Sequence, residues 1–217
     1  MKYITYYEER TEITNRKYME FINKRYNGEG KVAGQGVRND FKVRKMRFFN
    51  PAESLFIQKN DLPKYYITLH NINSKYVYLE KKTVQNELIY KASAKITKEQ
   101  CNQILKNDIT WMQNHKEEVV RDFYRQLCFN RMKPGYITEY VREIFYLSKK
   151  DYIIFDKNVA KAAGNCEDFF ANDMIMIQCL GNGKIMCTSH HAAKMPLITE
   201  KLIEQQAYNP DAILAIL

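Results

Sequence analysis

The chain has 217 residues, 45% of them hydrophobic, which is enough for one domain with a substantial buried core. Its 34 Lys and Arg residues outnumber its 25 Asp and Glu residues, and the resulting net charge of +9 favours polyanions over cations as partners. No apolar run approaches the length of a membrane span and the first ten residues lack the apolar centre of a secretory signal, so we expect a cytoplasmic protein.

The cysteines favour neither a disulfide framework nor a zinc site. Their number is odd, and no two of them have CxxC spacing. We therefore expect buried free thiols at Cys101, Cys128, Cys166, Cys179 and Cys187.

The first segments of the chain predict a helix, a loop and a strand. Residues 16–26 place four apolar side chains on one helical face, and the glycine-rich segment 27–36 predicts a loop. Residues 41–48 alternate as a strand does, and Asn50-Pro51 ends that pattern.

Two consecutive segments, 64–70 and 76–91, carry the most informative pattern. Residues 64–70 alternate between polar and apolar side chains. In the second segment, four side chains of one parity would point to the same face of a strand: Tyr76, Tyr78, Glu80 and Lys82. Such a face is either the solvated side of a half-buried sheet or the lining of a water-filled barrel. Charges that line a lumen must be paired with each other or with a ligand.

The rest of the chain predicts further helices and strands. Thr97 and Gln100 have the spacing of a capping box at the start of a helix, and residues 116–130 predict another helix. The remaining predicted elements are a strand pair at 136–146 and 151–156, a hairpin at 174–180 and 184–188, and a helix at 198–217. Strands with inserted helices and no βαβ alternation predict a single α+β domain over residues 1–217, with an antiparallel sheet.

Several runs of residues together resemble the VTC-type polyphosphate polymerase domains of the CYTH, or triphosphate tunnel, superfamily. They are YLEKK at 78–82, YKASAKIT at 90–97 and NDITWM at 107–112, then KPGYITEYVRE at 133–143 with DYIIFD at 151–156, and VRKMRFFNP at 43–51. The resemblance implies an antiparallel β-barrel with flanking helices, whose inward Lys and Arg side chains grip a chain of phosphates.

The resemblance also implies a class of reaction and a cofactor. In the polymerase branch of the family, the terminal phosphoryl group of ATP is moved onto polyphosphate, and related branches hydrolyse inorganic or nucleotide triphosphates. An acidic residue of the family holds a divalent metal, Mg or Mn, on the phosphates. Positioning and charge neutralisation by cations and a metal suit phosphoryl transfer.

Carried onto this sequence, the family motifs give a set of candidate residues. The phosphate-binding candidates are Arg10, Arg44, Lys64, Lys82, Lys91 and Arg142. Among them, the resemblance implies a catalytic role for Lys82, Lys91 and Arg142. Tyr140 would contact the nucleotide, and Glu80 would hold the metal.

The chain departs from the family at several charged positions. Tyr66 and Thr68 stand where the family has two arginines, and Val84 stands where it has a third lysine. Tyr152 replaces an arginine, and Gln178 occupies the position of the metal-binding glutamate. We therefore expect a VTC-like domain that binds polyphosphate, triphosphate or ATP without efficient turnover: a polyphosphate polymerase or triphosphatase-like phosphotransferase if it is active, and a pseudoenzyme otherwise. Two alternatives stay open: a non-catalytic polyanion-binding or scaffold protein, and a basic nucleic-acid-binding domain.

The retained Glu80 needs neutralisation if no metal lies beside it. A buried carboxylate without a cation nearby is strongly destabilising. We expect its partners to be Lys82, Lys64 on the adjacent strand and Arg142 across the barrel.

Overall fold

Eight strands and three helices make up the regular structure of the part of the chain that the computed structural model describes, residues 1–26, 39–51, 62–71, 74–146, 152–161 and 174–181. The strands are β1 Ile4–Thr14, β2 Asn39–Phe49, β3 Lys64–His70, β4 Tyr76–Gln85, β5 Leu88–Thr97, β6 Lys133–Tyr146, β7 Tyr152–Lys161 and β8 Met174–Gly181. The helices are α1 Asn15–Tyr26, α2 Lys98–Leu105 and α3 Glu118–Phe129, with a 3₁₀ turn at Thr110–Met112.

The strands form one antiparallel sheet whose order closes on itself. That order is β1-β5-β4-β3-β2-β6-β7-β8, and β8 pairs back with β1 from Tyr7 opposite Gly181 to Thr14 opposite Met174. Each strand therefore has a neighbour on both sides, and the sheet is a closed barrel. Along every strand, side chains alternate between the inner and the outer face of the barrel.

The larger hydrophobic core lies outside the barrel, between strands β2 to β5 and the helices α2 and α3. Tyr65 and Leu79 from the strands and Phe123 from α3 are fully buried there. The Phe123 ring stacks on Tyr65 at 5.1 Å between centroids and meets Phe48 edge-on at 4.8 Å. These contacts fix which parity of β2, β3 and β4 faces outward.

A second core lies on the other side of the barrel, under α1. Tyr18 and Ile22 of α1 pack on Phe145, Phe155 and Ile175 of β6, β7 and β8. The two cores hold helices against the outer face and leave the polar parity of the strands for the inner face, as the patterns of 64–70 and 76–82 predict. Residues 76–91, however, do not form one strand: β4 ends at Gln85 and β5 begins at Leu88.

The predicted α+β fold with antiparallel strands is confirmed. The predicted strand 64–70 matches β3, and Thr97 with Gln100 forms the predicted capping box at the start of α2. The sequence pattern does not predict β1, because both faces of this strand carry polar side chains. The strand predicted at 184–188 and the helix predicted at 198–217 lie outside the described residues.

Two further findings concern the cysteines and the membrane. Cys101 is buried and Cys128 is exposed, and both are free thiols. Among the helices of the described segments, none has the length and apolar character needed to cross a membrane.

Candidate functional site

The inner face of the barrel is rich in charged side chains. Residues opposite each other in antiparallel strands point to the same face, so the register identifies the inward side chains. The described cations that point inward include Arg10, Lys45, Arg47, Lys64, Lys82, Lys91, Lys95 and Arg142. Four described carboxylates share that face: Glu8, Glu12, Glu80 and Asp156. The enclosed surface is therefore basic.

Three lysines form a row across adjacent strands. Lys82 of β4 lies opposite Lys64 of β3 on one side and opposite Lys91 of β5 on the other. Burial, together with Arg10 and Lys64, lowers the pKa of Lys82, against the opposing effect of a nearby carboxylate. Like charges directly opposite one another destabilise a sheet, so this row is a place where a bound anion would stabilise the barrel.

Glu80 is neutralised by two lysines from neighbouring strands. Its side chain is buried, with Lys91 Nζ 2.5 Å from one carboxylate oxygen and Lys45 Nζ 3.8 Å from the other. The Thr68 hydroxyl donates a hydrogen bond of 3.2 Å to the same carboxylate. Burial alone would raise the pKa of Glu80, but Lys45 and Lys91 lower it to about 2. Glu80 is therefore an anion at neutral pH.

The predicted ion pairs of Glu80 with Lys64, Lys82 and Arg142 are not observed among the described contacts, although Glu80 and Arg142 attract each other at longer range. Lys82 donates instead to Glu8 of β1, a carboxylate that Arg10 also contacts at 3.3 Å. Burial opposes the ionisation of Glu8, but Arg10 and Lys82 lower its pKa. The closure of β1 onto the barrel supplies this second carboxylate, which pattern analysis of β4 alone could not reveal.

Arg142 is held by a third carboxylate, Asp156, in a bidentate pair. The Nε and Nη2 atoms of Arg142 each lie 2.7 Å from one oxygen of Asp156. Gln178 Nε2 donates to the Oδ2 atom of Asp156 at 2.6 Å, and Arg142 Nη2 lies 3.4 Å from the Tyr140 hydroxyl. Burial opposes the charged form of Arg142, but Tyr140 and Asp156 raise its pKa. The guanidinium is therefore fixed in one orientation.

Lys45 is a site residue that the sequence-based candidates omit. It points inward from β2, with its ammonium 4.0 Å from the centre of the Tyr66 ring and close to Glu80. Burial, together with the nearby charges of Lys91 and Arg142, lowers the pKa of Lys45 to about 7. Glu80 acts in the opposite direction but does not offset them. A pKa of about 7 means that Lys45 is only partly protonated at neutral pH.

Arg44, by contrast, points to the outer face. The prediction that Arg44 binds phosphate inside the barrel is therefore wrong, because its side chain points away from the lumen. Its side chain forms an ion pair with Glu139 of β6. The residues of the same parity on β2, Met46 and Phe48, are buried against the helices. That parity is visible in the sequence and could have identified Lys45, rather than Arg44, as the inward cation.

The other candidates lie on the inner face as the resemblance implies. Lys82, Lys91 and Arg142 share that face, and so do Lys64 and Arg10. Tyr140 is nearly buried, with its ring centre 5.1 Å from the guanidinium carbon of Arg142.

Among the residues that the structure describes, the donors of the inner face do not form a divalent metal site. Within the described segments, no group of three or more His, Cys, Asp or Glu side chains could hold a metal ion. Glu8, Glu80 and Asp156 each contact a protein cation, and Gln178 offers an amide where a carboxylate would be needed. Glu80, the predicted metal ligand, is in contact with lysines.

We predict that Glu80→Gln destabilises the protein because it leaves the charges of Lys45 and Lys91 without their carboxylate. Loss of one member of a buried ion pair costs about 3–5 kcal/mol, and the partial hydration of both lysines places this variant at or below the lower end of that range. Urea denaturation measures the loss. Glu139→Gln, on the outer face, is the matched control and should cost about 0–1 kcal/mol. Equal losses in the two variants would contradict a structural role of Glu80.

Comparisons of the fold agree with this geometry. A candidate adenylate cyclase from Bacillus halodurans matches with a TM-score of 0.54 and 13% identity, over 96% of this chain and 95% of that chain. A candidate adenylyl cyclase from Hippeastrum, described as having a dominant triphosphatase activity, matches with a TM-score of 0.52 and 10% identity, over 93% of this chain and 85% of that chain. At these identities the likeness concerns the fold.

The sequence itself also matches a known family. No curated protein sequence matches the chain significantly. The VTC domain family matches residues 64–193, a segment that contains β3 to β8 and includes Lys64, Lys82, Lys91 and Arg142. This segment is more than half of the chain, and the chain therefore belongs to the VTC domain family.

Proposed function

We propose that the barrel binds a triphosphate or polyphosphate chain along its inner face. Membership of the VTC domain family supports this class of ligand. The triphosphatase activity described for the Hippeastrum protein of similar fold supports it as well. The basic character of the enclosed surface is the feature of this chain that fits such a ligand.

The row formed by Lys64, Lys82 and Lys91 carries the proposal. Neighbouring strands lie about 4.8 Å apart, so the outer two backbones of the row are about 10 Å apart. A chain of phosphates covers that span better than a single phosphate does. Each phosphate oxygen would accept charge-assisted hydrogen bonds from ammonium groups that otherwise repel one another.

The proposed ligand-binding residues are those that point inward. They are Arg10, Lys45, Lys64, Lys82, Lys91 and Arg142. Tyr140, beside Arg142, would contact the nucleotide when the ligand is ATP. Entry of the anion would partly release Lys82 from Glu8 and Lys91 from Glu80, because phosphate and carboxylate compete for the same ammonium groups.

We further propose that binding is not followed by efficient turnover. Phosphoryl transfer depends on cations that stabilise the charge of the transition state. In this chain Tyr66 and Thr68 supply no charge, and Asp156 holds Arg142 through both carboxylate oxygens. An arginine fixed on a carboxylate offers fewer donors to a phosphate than an unpaired one does.

Turnover is tested by incubating the purified protein with ATP and Mn²⁺ and staining a gel for polyphosphate. We expect no polymer and no phosphate release above the rate without protein. Lys82→Gln, purified in parallel, is the control for contaminating kinases and phosphatases. Polymer formation by the wild-type protein that Lys82→Gln abolishes would contradict the absence of efficient turnover.

Binding is tested by calorimetric titration with tripolyphosphate at about pH 6, where Lys45 is charged. A charge-assisted hydrogen bond contributes about 1.5–3 kcal/mol, so Lys45→Gln should weaken binding about tenfold or more. Arg44→Gln removes the same charge from the adjacent, outward position and should change affinity by less than about twofold, because Arg44 lies on the opposite face of the sheet and is paired there with Glu139. Equal effects of the two substitutions would place the binding surface outside the barrel.

The pH dependence of tripolyphosphate affinity should follow Lys45. The ammonium form attracts the anion, so the contribution of Lys45 is lost as pH rises through its pKa of about 7. Lys45→Arg stays charged throughout this range and should bind more tightly than the wild type at about pH 9 but not at about pH 6. His70 has a lowered pKa because of its burial, so it contributes little charge above neutrality. Parallel pH profiles for the wild type and Lys45→Arg would contradict this assignment.

A further inference from the structure

The surroundings of Asp156 show how this barrel differs from one that uses a metal. Both oxygens of Asp156 accept hydrogen bonds from Arg142, and Oδ2 also accepts one from Gln178 Nε2 at 2.6 Å. Asp156 is 5% exposed and Gln178 is 3% exposed. The carboxylate is therefore surrounded by hydrogen-bond donors in a nearly water-free part of the inner face.

The side-chain amide of Gln178 stabilises the charge of Asp156, whereas a second carboxylate at this position would repel it. Its NH₂ group donates to Asp156, so the two side chains need no cation between them. A carboxylate at position 178 would bring two anionic oxygens into the same contact. Two carboxylates at that distance need a shared proton or a cation to remain together.

The other carboxylates of the inner face provide no alternative site among the described residues. Glu8 contacts Lys82 and Arg10, and Glu80 contacts Lys91 and Lys45. Glu12 lies on the same face with its pKa raised by burial. A lone carboxylate is a poor site for a hard divalent cation, which needs several oxygen ligands.

We propose that Gln178 makes the barrel independent of divalent metals, because its amide takes the place of a metal ion beside Asp156. The proposal rests on the function proposed above, since it states that the anion is held by protein cations alone. Arg142 supplies the fixed positive charge, and Gln178 supplies a neutral donor that completes the hydrogen bonding of Asp156. One isosteric substitution, Gln178→Glu, then creates a pair of carboxylates that binds a divalent cation.

The test measures Mn²⁺ binding without any phosphate, through the loss of the electron paramagnetic resonance signal of free Mn²⁺. Failure of the phosphate-binding proposal would not affect this measurement. We expect Gln178→Glu to bind one Mn²⁺ per chain more than the wild type does. The double variant Gln178→Glu with Asp156→Asn should lose that additional ion. Gln113→Glu adds the same charge at an exposed position and should bind as the wild type does.

Thermal melts give a second readout on the same proteins. Mn²⁺ should raise the melting temperature of Gln178→Glu and leave those of the wild type and Gln113→Glu unchanged, because a ligand that binds only the folded state stabilises it. Wild-type Mn²⁺ binding that Asp156→Asn abolishes would overturn the proposal. Gln178→Glu that binds no more Mn²⁺ than the wild type would overturn it equally.

Discussion

Charges enclosed by a closed barrel must find partners within the barrel, and the arrangement of the inner face depends on this constraint. Three carboxylates, Glu8, Glu80 and Asp156, come from three different strands, and each contacts at least one Lys or Arg. Among the described residues of the inner face, the cations outnumber the carboxylates, so the pairing neutralises only part of the positive charge. The positive charge that the carboxylates leave unneutralised would attract a polyanion.

The helices outside the barrel determine which side chains can belong to this surface. Phe123 against Tyr65 on one side, and α1 against Phe155 on the other, bury one parity of the strands. The register between β6 and β7 shifts between Glu139 and Val141, just before Arg142. Register shifts of this kind change the direction in which nearby side chains point, and they are common beside functional sites. The orientation of Arg142 thus reflects both the outer packing and a local break in the ladder.

The sequence predicts the fold better than it predicts the site. Alternation in 64–70 and the capping box at Thr97 are local signals, and both correspond to observed elements. The partners of Glu80 are not local, because Lys45 and Lys91 reach it from other strands through the register of the closed sheet. Family motifs also show where a strand lies more securely than they show which of its alternate residues point inward. A shift of one residue on β2 exchanges Arg44 for Lys45, which moves a cation from the outer face to the inner face.

The pairing of β1 with β8 has a consequence for how the protein folds. Tyr7 lies opposite Gly181, so the ring of hydrogen bonds cannot close before nearly the whole described chain has been synthesised. Contacts so distant in sequence slow folding, since much chain entropy is lost before they form. Until β8 arrives, β1 lacks one neighbour and Asp156 lacks the amide of Gln178, so the charged lining stays open to water. Before β8 pairs with β1, the sheet is therefore open and has two unpaired edge strands. At this stage the protein is most prone to pair its strands with those of another molecule.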